Sequence, residues 1–298
     1  MSYATLFSAI AMAASLVAAP CLAQGSGTLD KIKQTGTITL GHRESSVPFS
    51  YYDDAQTVIG YSQELMLKTV DAVKDKLGLA KLDVKLMPVT SANRITLIQN
   101  GTIDIECGST SNNTERQKQV AFSTTIFVIG TRLAAAKDSS IKDFADLASK
   151  NVVTTAGTTS ERLLRKMNED KKMGMNIVSA KDHGEAFLTL ETGRAVAFMM
   201  DDALLYGAIA KAKKPDNWVV TGTAQSQEAY GCMLRKDDAE FKAVIDAALA
   251  KTMTSGEAVK FYDKWFQAPI PPKALNLAMP LSNEMKALYA SPNDKAFE

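Results

Sequence analysis

Short apolar runs alternate with amphipathic ones along most of the chain. "TITLGHR" reads as a strand, and "YSQELMLKTVDAVKDKLG" as a helix with Leu65, Thr69, Val70, Val73 and Leu77 on one face. "LDVKLMPV" and "TIDIEC" read as further strands. Between them "SANRITLIQNG" is a short helix running from a Ser91 cap to a Gly101 stop. The rhythm then restarts: "SSIKDFADLASK" is predicted as a helix, "NVVTTAG" as a strand and "TTSERLLRKMNEDKK" as a helix. "MNIVSA", "DHGEAFLTLETG", "RAVAFMMDD" and "ALLYGAIAKAKK" continue the alternation, and helices around "FKAVIDAALAKTMTSGEAVKFYDKWF" follow. Strands alternating with helices imply a mainly parallel sheet with helical crossovers. Two such cycles without a flexible linker predict two lobes, with the extended segments near "VIGTRLAA" and "QEAYGCML" as the crossings between them.

Composition narrows the class. At 298 residues and a formal net charge of +1 the chain is long enough for two lobes and lacks the basic surface a nucleic-acid partner would favour. The first 23 residues hold no Lys, Arg, Asp or Glu, and their apolar centre is short for a membrane span. Cys21-Leu22-Ala23 ends in small-residue spacing suited to cleavage before Gln24, so residues 1–23 are expected to be a secretory signal peptide, although the basic n-region is missing. Lipidation at Cys21 is disfavoured by Pro20. After cleavage two cysteines remain, Cys107 and Cys232, either a disulfide in an oxidising compartment or two buried thiols, with the bridge favoured. Two distant histidines and two distant cysteines make no metal cluster, and no nucleophile elbow or phosphate-cradling loop occurs; no cofactor is expected.

The chemistry gathers at strand ends. Arg43 follows the first strand, Ser91 and Arg94 open a helix, Ser109 follows "TIDIECG", Thr159 follows "NVVTTAG", His183 opens a helix, and Asp201 ends "RAVAFMMD". Ligands of open α/β sheets sit there. Only eight arginines stand against twenty-six lysines, which singles out Arg43, Arg94 and Arg116, because the guanidinium fork grips carboxylates at two points.

The segments "GHRESSVPFSYYDD", "ITLIQNGTIDIECGST", "NNTERQKQVAFS", "TIFVIGTRL", "VSAKDHGEAF", "GRAVAFMMDDALL" and "QSQEAYGCMLRKDD" carry a resemblance from about Thr28 to the C-terminus. The chain resembles the periplasmic solute-binding proteins of polar amino-acid ABC transporters, in particular those that bind glutamate and aspartate. The resemblance implies an α/β, two-lobed periplasmic-binding-protein (type II, Venus-flytrap) fold with a hinge. In it residues 24–132 form the first part of lobe 1, 133–228 lobe 2, and 229–298 the return to lobe 1. It also implies a periplasmic monomer that captures a free acidic amino acid and delivers it to a membrane permease. By the same resemblance Arg116, with Thr110 and Thr159, holds the ligand α-carboxylate; Ser109 and Asp201 take the α-ammonium; and Arg43, Ser91, Arg94 and His183 take the side-chain carboxylate. Pro48 is expected to shape the turn after Arg43, and Phe49 to pack over the site.

Blander readings stand beside these. Arg43, Arg94 and Arg116 could be surface charges, His183 could cap its helix, and either Asp201 or Asp202 could cap "ALLYG". His42 should point away from Arg43. The competing functional class is a dehydratase-like periplasmic enzyme on the same lobes, in which His183 would be the acid or base. A receptor for another carboxylate amino acid, and a sensory module presenting the same ligand, are further readings.

Overall fold

Alternating burial along the strands, and helices with one buried stripe, build the molecule. The computed structural model describes residues 27–296 except residue 275, so the leader assigned to 1–23, with Cys21, lies outside the described residues. The strands are β1 (Thr37–His42), β2 (Ser45–Ser46), β3 (Ser50–Tyr52), β4 (Val58–Ile59), β5 (Asp83–Pro88), β6 (Ile105–Glu106) and β7 (Ser111–Asn112). They continue with β8 (Ala121–Ala136), β9 (Asn151–Thr155), β10 (Asn176–Ala180), β11 (Ala197–Asp201), β12 (Trp218–Thr221) and β13 (Gln227–Leu234). Ten of them form one sheet, eight in the path β10-β9-β11-β8-β13-β6-β1-β5, with β12 pairing β8 and β7 pairing β13; β2, β3 and β4 make a small separate sheet.

Strand β8 belongs to both halves. Its residues Ala121 to Gly130 pair with β13, while Thr131 to Ala136 pair with β11 and β12. The chain therefore passes from one half of the sheet to the other inside β8 and returns between Thr221 and Gln227. Around this antiparallel seam each lobe is parallel: β1 with β5 and β6, and β9 with β10 and β11. The two-lobed α/β expectation and its mainly parallel sheets hold.

Local chemistry explains the elements. The helix Tyr61–Lys76 buries Leu65, Thr69, Val70 and Val73, and carries Glu64 in its first turn and Lys74 and Lys76 in its last, which suits its dipole. Three expectations need correction. "SSIKDFADLASK" forms only a 3₁₀ turn, Phe144–Leu147. Asp143 accepts from the Phe144 N–H at 2.8 Å and Asp146 from the Lys142 N–H at 2.8 Å, so side chains claim the backbone donors a longer helix would need. Ser91 is not a cap: Asn93 accepts from the Thr90 N–H at 2.8 Å, the chain turns there, and the helix runs Arg94–Gln99. "TIDIEC" is strand only over Ile105–Glu106, because Glu106 turns its carboxylate back onto the Gly108 N–H at 2.8 Å. A last helix, Asn283–Ala290, capped by Ser282, was not anticipated. Among the described residues no helix is long and apolar enough to cross a membrane.

Behind the seam Phe49, Tyr61, Phe127, Tyr230, Tyr262 and Phe266 pack ring on ring, with centroids as close as 4.5 Å for Tyr262 and Phe266 and 4.9 Å for Phe127 and Phe266. Such pairs add about 0.5–1.5 kcal/mol each beyond area burial. The cluster fixes both the turn after β1, through Phe49, and β13, through Tyr230. Beside it Cys107, just past β6, is bonded to Cys232 on β13, so the expected disulfide is present and buried. It closes a loop across a sequence separation of 125 residues, which in the chain-entropy model constrains the unfolded chain by about 4–5 kcal/mol. Replacing both cysteines with alanine should lower unfolding free energy by about that amount, read from urea titration with the slope fitted separately for each protein. A loss below about 1 kcal/mol would show the bridge to be incidental.

Candidate functional site

Arg43 leaves the end of β1, its N–H donating to Ser50 Oγ at 2.9 Å and its Nη1 facing Ser109 Oγ at 3.5 Å. Arg94 is the first residue of its helix; its Nη1 donates to the Ser109 carbonyl at 3.1 Å and to the Thr110 hydroxyl. Both guanidiniums are 1% exposed. Desolvation draws Arg43 down to about 10, helped by the Arg94 charge, and it stays protonated at neutral pH. Glu106, fully buried, lies 3.9 Å from Arg94 Nη1 and accepts from the Thr110 hydroxyl at 2.6 Å.

His183 is not a cap, since Asp182 fills that role with the Glu185 N–H at 3.0 Å. Its Nδ1 meets Thr155 Oγ1 at 2.8 Å, and burial together with the Arg43 and Arg94 charges holds it well below the usual histidine range, hence neutral. In the tautomer where the Thr155 hydroxyl donates to Nδ1, Nε2 carries the proton and is a donor. Arg43 Nη2, Arg94 Nε, Ser91 Oγ and His183 Nε2 are all buried and without a hydrogen-bond partner. Four residues singled out in the sequence thus present four unsatisfied donor atoms, and an ionised carboxylate offers about four lone-pair positions. Leaving buried polar groups unpaired costs about 1–3 kcal/mol each, more when charged. Buried donors left unpaired are groups that an anion satisfies.

A second cluster lies where the lobes meet. Arg116 donates from Nη1 to the Ser111 carbonyl at 2.9 Å and from Nη2 to the Gly157 carbonyl at 3.2 Å; desolvation brings it down to about 9, still charged at neutral pH. Thr159 begins the helix Thr159–Asp170, whose N-terminal dipole favours an anion, while Thr158 caps it through the Glu161 N–H at 3.0 Å. Asp201 occupies the cap position of Asp202–Lys211, but its carboxylate turns away from the helix. It accepts from Thr131 Oγ1 at 3.0 Å, Ser160 Oγ at 3.1 Å and the Tyr230 hydroxyl.

The Thr110 hydroxyl is spent on Glu106 and Arg94; the neighbouring Ser111 Oγ is the one beside Thr159 Oγ1, at 3.4 Å. Sequence reasoning passed over Ser111, Glu106 and Glu228. The available signal was a charged residue inside each of two otherwise apolar strands. Phe49 lies in the aromatic cluster rather than over the site, reaching it through Tyr230 at 5.2 Å. His42, buried edge-on to Tyr52, brings its Nδ1 to 3.1 Å from the Arg43 carbonyl.

The lobes touch closely enough to exclude side chains. A Cβ on Gly157, which also has φ +77°, would meet Ala92 Cα at 2.7 Å, and one on Gly207 would meet the Val47 carbonyl oxygen at 2.1 Å. Ser45 Oγ donates to Asp182 Oδ1 at 3.2 Å and accepts from the Gly184 N–H at 3.2 Å. Both charge clusters are consequently walled by both lobes.

Residues 38–268 match the model of the bacterial extracellular solute-binding proteins, family 3. The chain is 65% identical over 290 residues to the L-glutamate/L-aspartate-binding protein of Pseudomonas aeruginosa, covering 97% of this chain and 96% of that protein. It is 63% identical over 294 residues to the glutamate/aspartate import solute-binding protein of Escherichia coli, covering 98% and 97%. Among solved structures it is similar to an ancestral arginine-binding protein bound to arginine, with TM-score 0.69, 30% identity and coverage of 78% and 98%. Holo ArgBP from T. maritima superposes with TM-score 0.68 at 28% identity, covering 79% and 98%.

Asp201 makes the stability of the protein pH-dependent. Burial, and then the Glu228 charge, raise it to about 7, so the folded state binds a proton more readily than the unfolded chain. The stability this contributes is present in full below about pH 4 and is lost as pH rises toward 7. Thermal unfolding of Asp201→Asn from pH 4 to 8 should show that part of the slope removed, with the variant more stable than the parent at pH 8. A slope identical to the parent's would refute the assignment.

Proposed function

Because the chain belongs to the bacterial extracellular solute-binding proteins, family 3, we propose that it binds L-glutamate and L-aspartate between its lobes and hands them to the permease of an ABC importer. The observation that carries the ligand chemistry is the set of unpartnered donors on Arg43, Ser91, Arg94 and His183, which suits a side-chain carboxylate. Arg116 and Thr159 take the α-carboxylate, joined by the Ser111 hydroxyl, which lies beside Thr159 Oγ1, whereas the Thr110 hydroxyl first given this role faces Glu106 and Arg94. Asp201, with one acceptor position left after Thr131, Ser160 and Tyr230, takes the α-ammonium together with the second lone pair of the Ser109 carbonyl.

The protein is a binding protein and not an enzyme. Relatives sharing 63–65% identity over nearly the whole chain are named for binding or import, and the dehydratase-like reading is not favoured. The work done is conformational. A ligand gripped by both lobes favours the closed form by its differential affinity, and the permease reads that form. The periplasm is the compartment. Residues 1–23 act as export leader, the working unit is a monomer, and the lobes divide near residues 132 and 228.

Specificity follows from the same charges. One methylene is worth only about 1–3 kcal/mol, so both acids fit, whereas an amide leaves buried guanidiniums without an anion. Titration calorimetry on mature protein, unfolded and refolded to strip bound ligand, should show one-to-one binding of glutamate and aspartate. Glutamine and asparagine should bind about a hundredfold or more weaker. Arg43→Met should cost both acids about a hundredfold or more. Equal competition by glutamine would sink the side-chain assignment.

A further inference from the structure

Glu228, 8% exposed on β13, stands at the meeting point of the lobes with no role yet assigned. Its Oε2 accepts from Thr159 Oγ1 at 2.7 Å and from Ser111 Oγ; its Oε1 accepts from Ser226 Oγ at 3.2 Å and lies 3.4 Å from Thr131 Oγ1. Thr159 belongs to one lobe and Ser111 to the other, so a single carboxylate oxygen ties them together. Thr131 has one proton and stands nearer to Asp201, at 3.0 Å, so three hydroxyls, those of Ser111, Thr159 and Ser226, donate to Glu228. Asp201 accepts three as well, but from Thr131, Ser160 and Tyr230, none of which faces the proposed α-carboxylate position.

A hydroxyl has one proton to give. Ser111 and Thr159 cannot donate to Glu228 and to a ligand carboxylate at the same time. We infer that Glu228 is a tethered rival of the ligand α-carboxylate. It draws the lobes together through the same two hydroxyls, and a ligand must displace it to bind. It therefore weakens binding of every ligand with an α-carboxylate equally and makes release easier. Arg43, Arg94 and His183, which discriminate the side chain, are untouched by it. This inference rests on placing the α-carboxylate at Arg116 and Thr159, as proposed above.

The test is Glu228→Gln, close to isosteric but uncharged, in two measurements on stripped full-length mature protein. By calorimetry glutamate and aspartate should both bind about tenfold tighter, with their ratio unchanged, because a charge-assisted competitor has become a neutral one. By small-angle X-ray scattering the ligand-free variant should have a larger radius of gyration than the parent. A gain in affinity is not what mere structural damage produces. An unchanged or weakened affinity overturns the inference, and weakening would instead assign Glu228 to the ammonium. If the parent binds neither acid, the proposed function has failed, and the scattering alone decides whether Glu228 holds the lobes. Should Glu228→Gln not fold, Thr159→Val removes the same tie: expansion of the ligand-free protein supports the inference, and no change overturns it.

Discussion

Three guanidiniums, those of Arg43, Arg94 and Arg116, are buried in one cleft, and everything near them answers that fact. Taking an ion out of water costs several kcal/mol even after relaxation. Three carboxyl groups, Glu106, Asp201 and Glu228, are buried in the same region, and Asp201 among them is raised to about 7. Yet the one direct ion contact among these six is Arg94 with Glu106, at 3.9 Å. Positive and negative groups are held apart by hydroxyls and carbonyls rather than paired. A site built this way discriminates by shape of charge: it suits a molecule whose own anionic and cationic groups stand at matching separations. A neutral or singly charged molecule leaves part of it uncompensated.

Holding unpaired charge in place takes a stiff frame. Glu106 anchors the loop through Gly108 and Thr110, and the Cys107–Cys232 bond ties that loop to β13 one strand away. On β13, Tyr230 joins the frame to the site: its ring sits in the aromatic cluster and its hydroxyl on Asp201. The first lobe is thereby fixed as a template. The second lobe contributes side chains from the starts of helices, Thr159 and His183, and from the strand end at Asp201. Closure of one lobe on the other needs surfaces without side chains, which Gly157 and Gly207 supply.

Much of this was legible in the sequence, for physical reasons. The 3.6-residue and two-residue periodicities record which face is buried, so the α/β alternation and the helix at Tyr61–Lys76 came through. Strand ends marked Arg43 and Asp201 because an open sheet leaves its carboxyl ends facing the crevice. What failed depended on side chains taking backbone donors, as Asp143 and Asp146 do around Phe144, which periodicity cannot register. Glu106 and Glu228 went unweighed for a related reason. A lone acid within an apolar strand looks like an edge residue until the strands beside it are known. Thr110 and Ser111 show the finest limit: adjacent hydroxyls point to opposite partners, and only the register of β7 on β13 separates them.

The place of β13 in the sheet has a consequence for how the chain is made. It lies between β6 and β8, in the middle of the first lobe, yet it is the last strand synthesised. When residue 136 has emerged, every other strand of that half exists, but the slot that joins them is open. The second lobe, by contrast, is nearly contiguous and can fold as it appears, whereas the first must wait for a segment nearly 100 residues later. During that wait the flanks of the gap are unpaired strand edges, apt to pair with the wrong chain. For as long as the chain is still emerging, half the molecule is a template without its central strand.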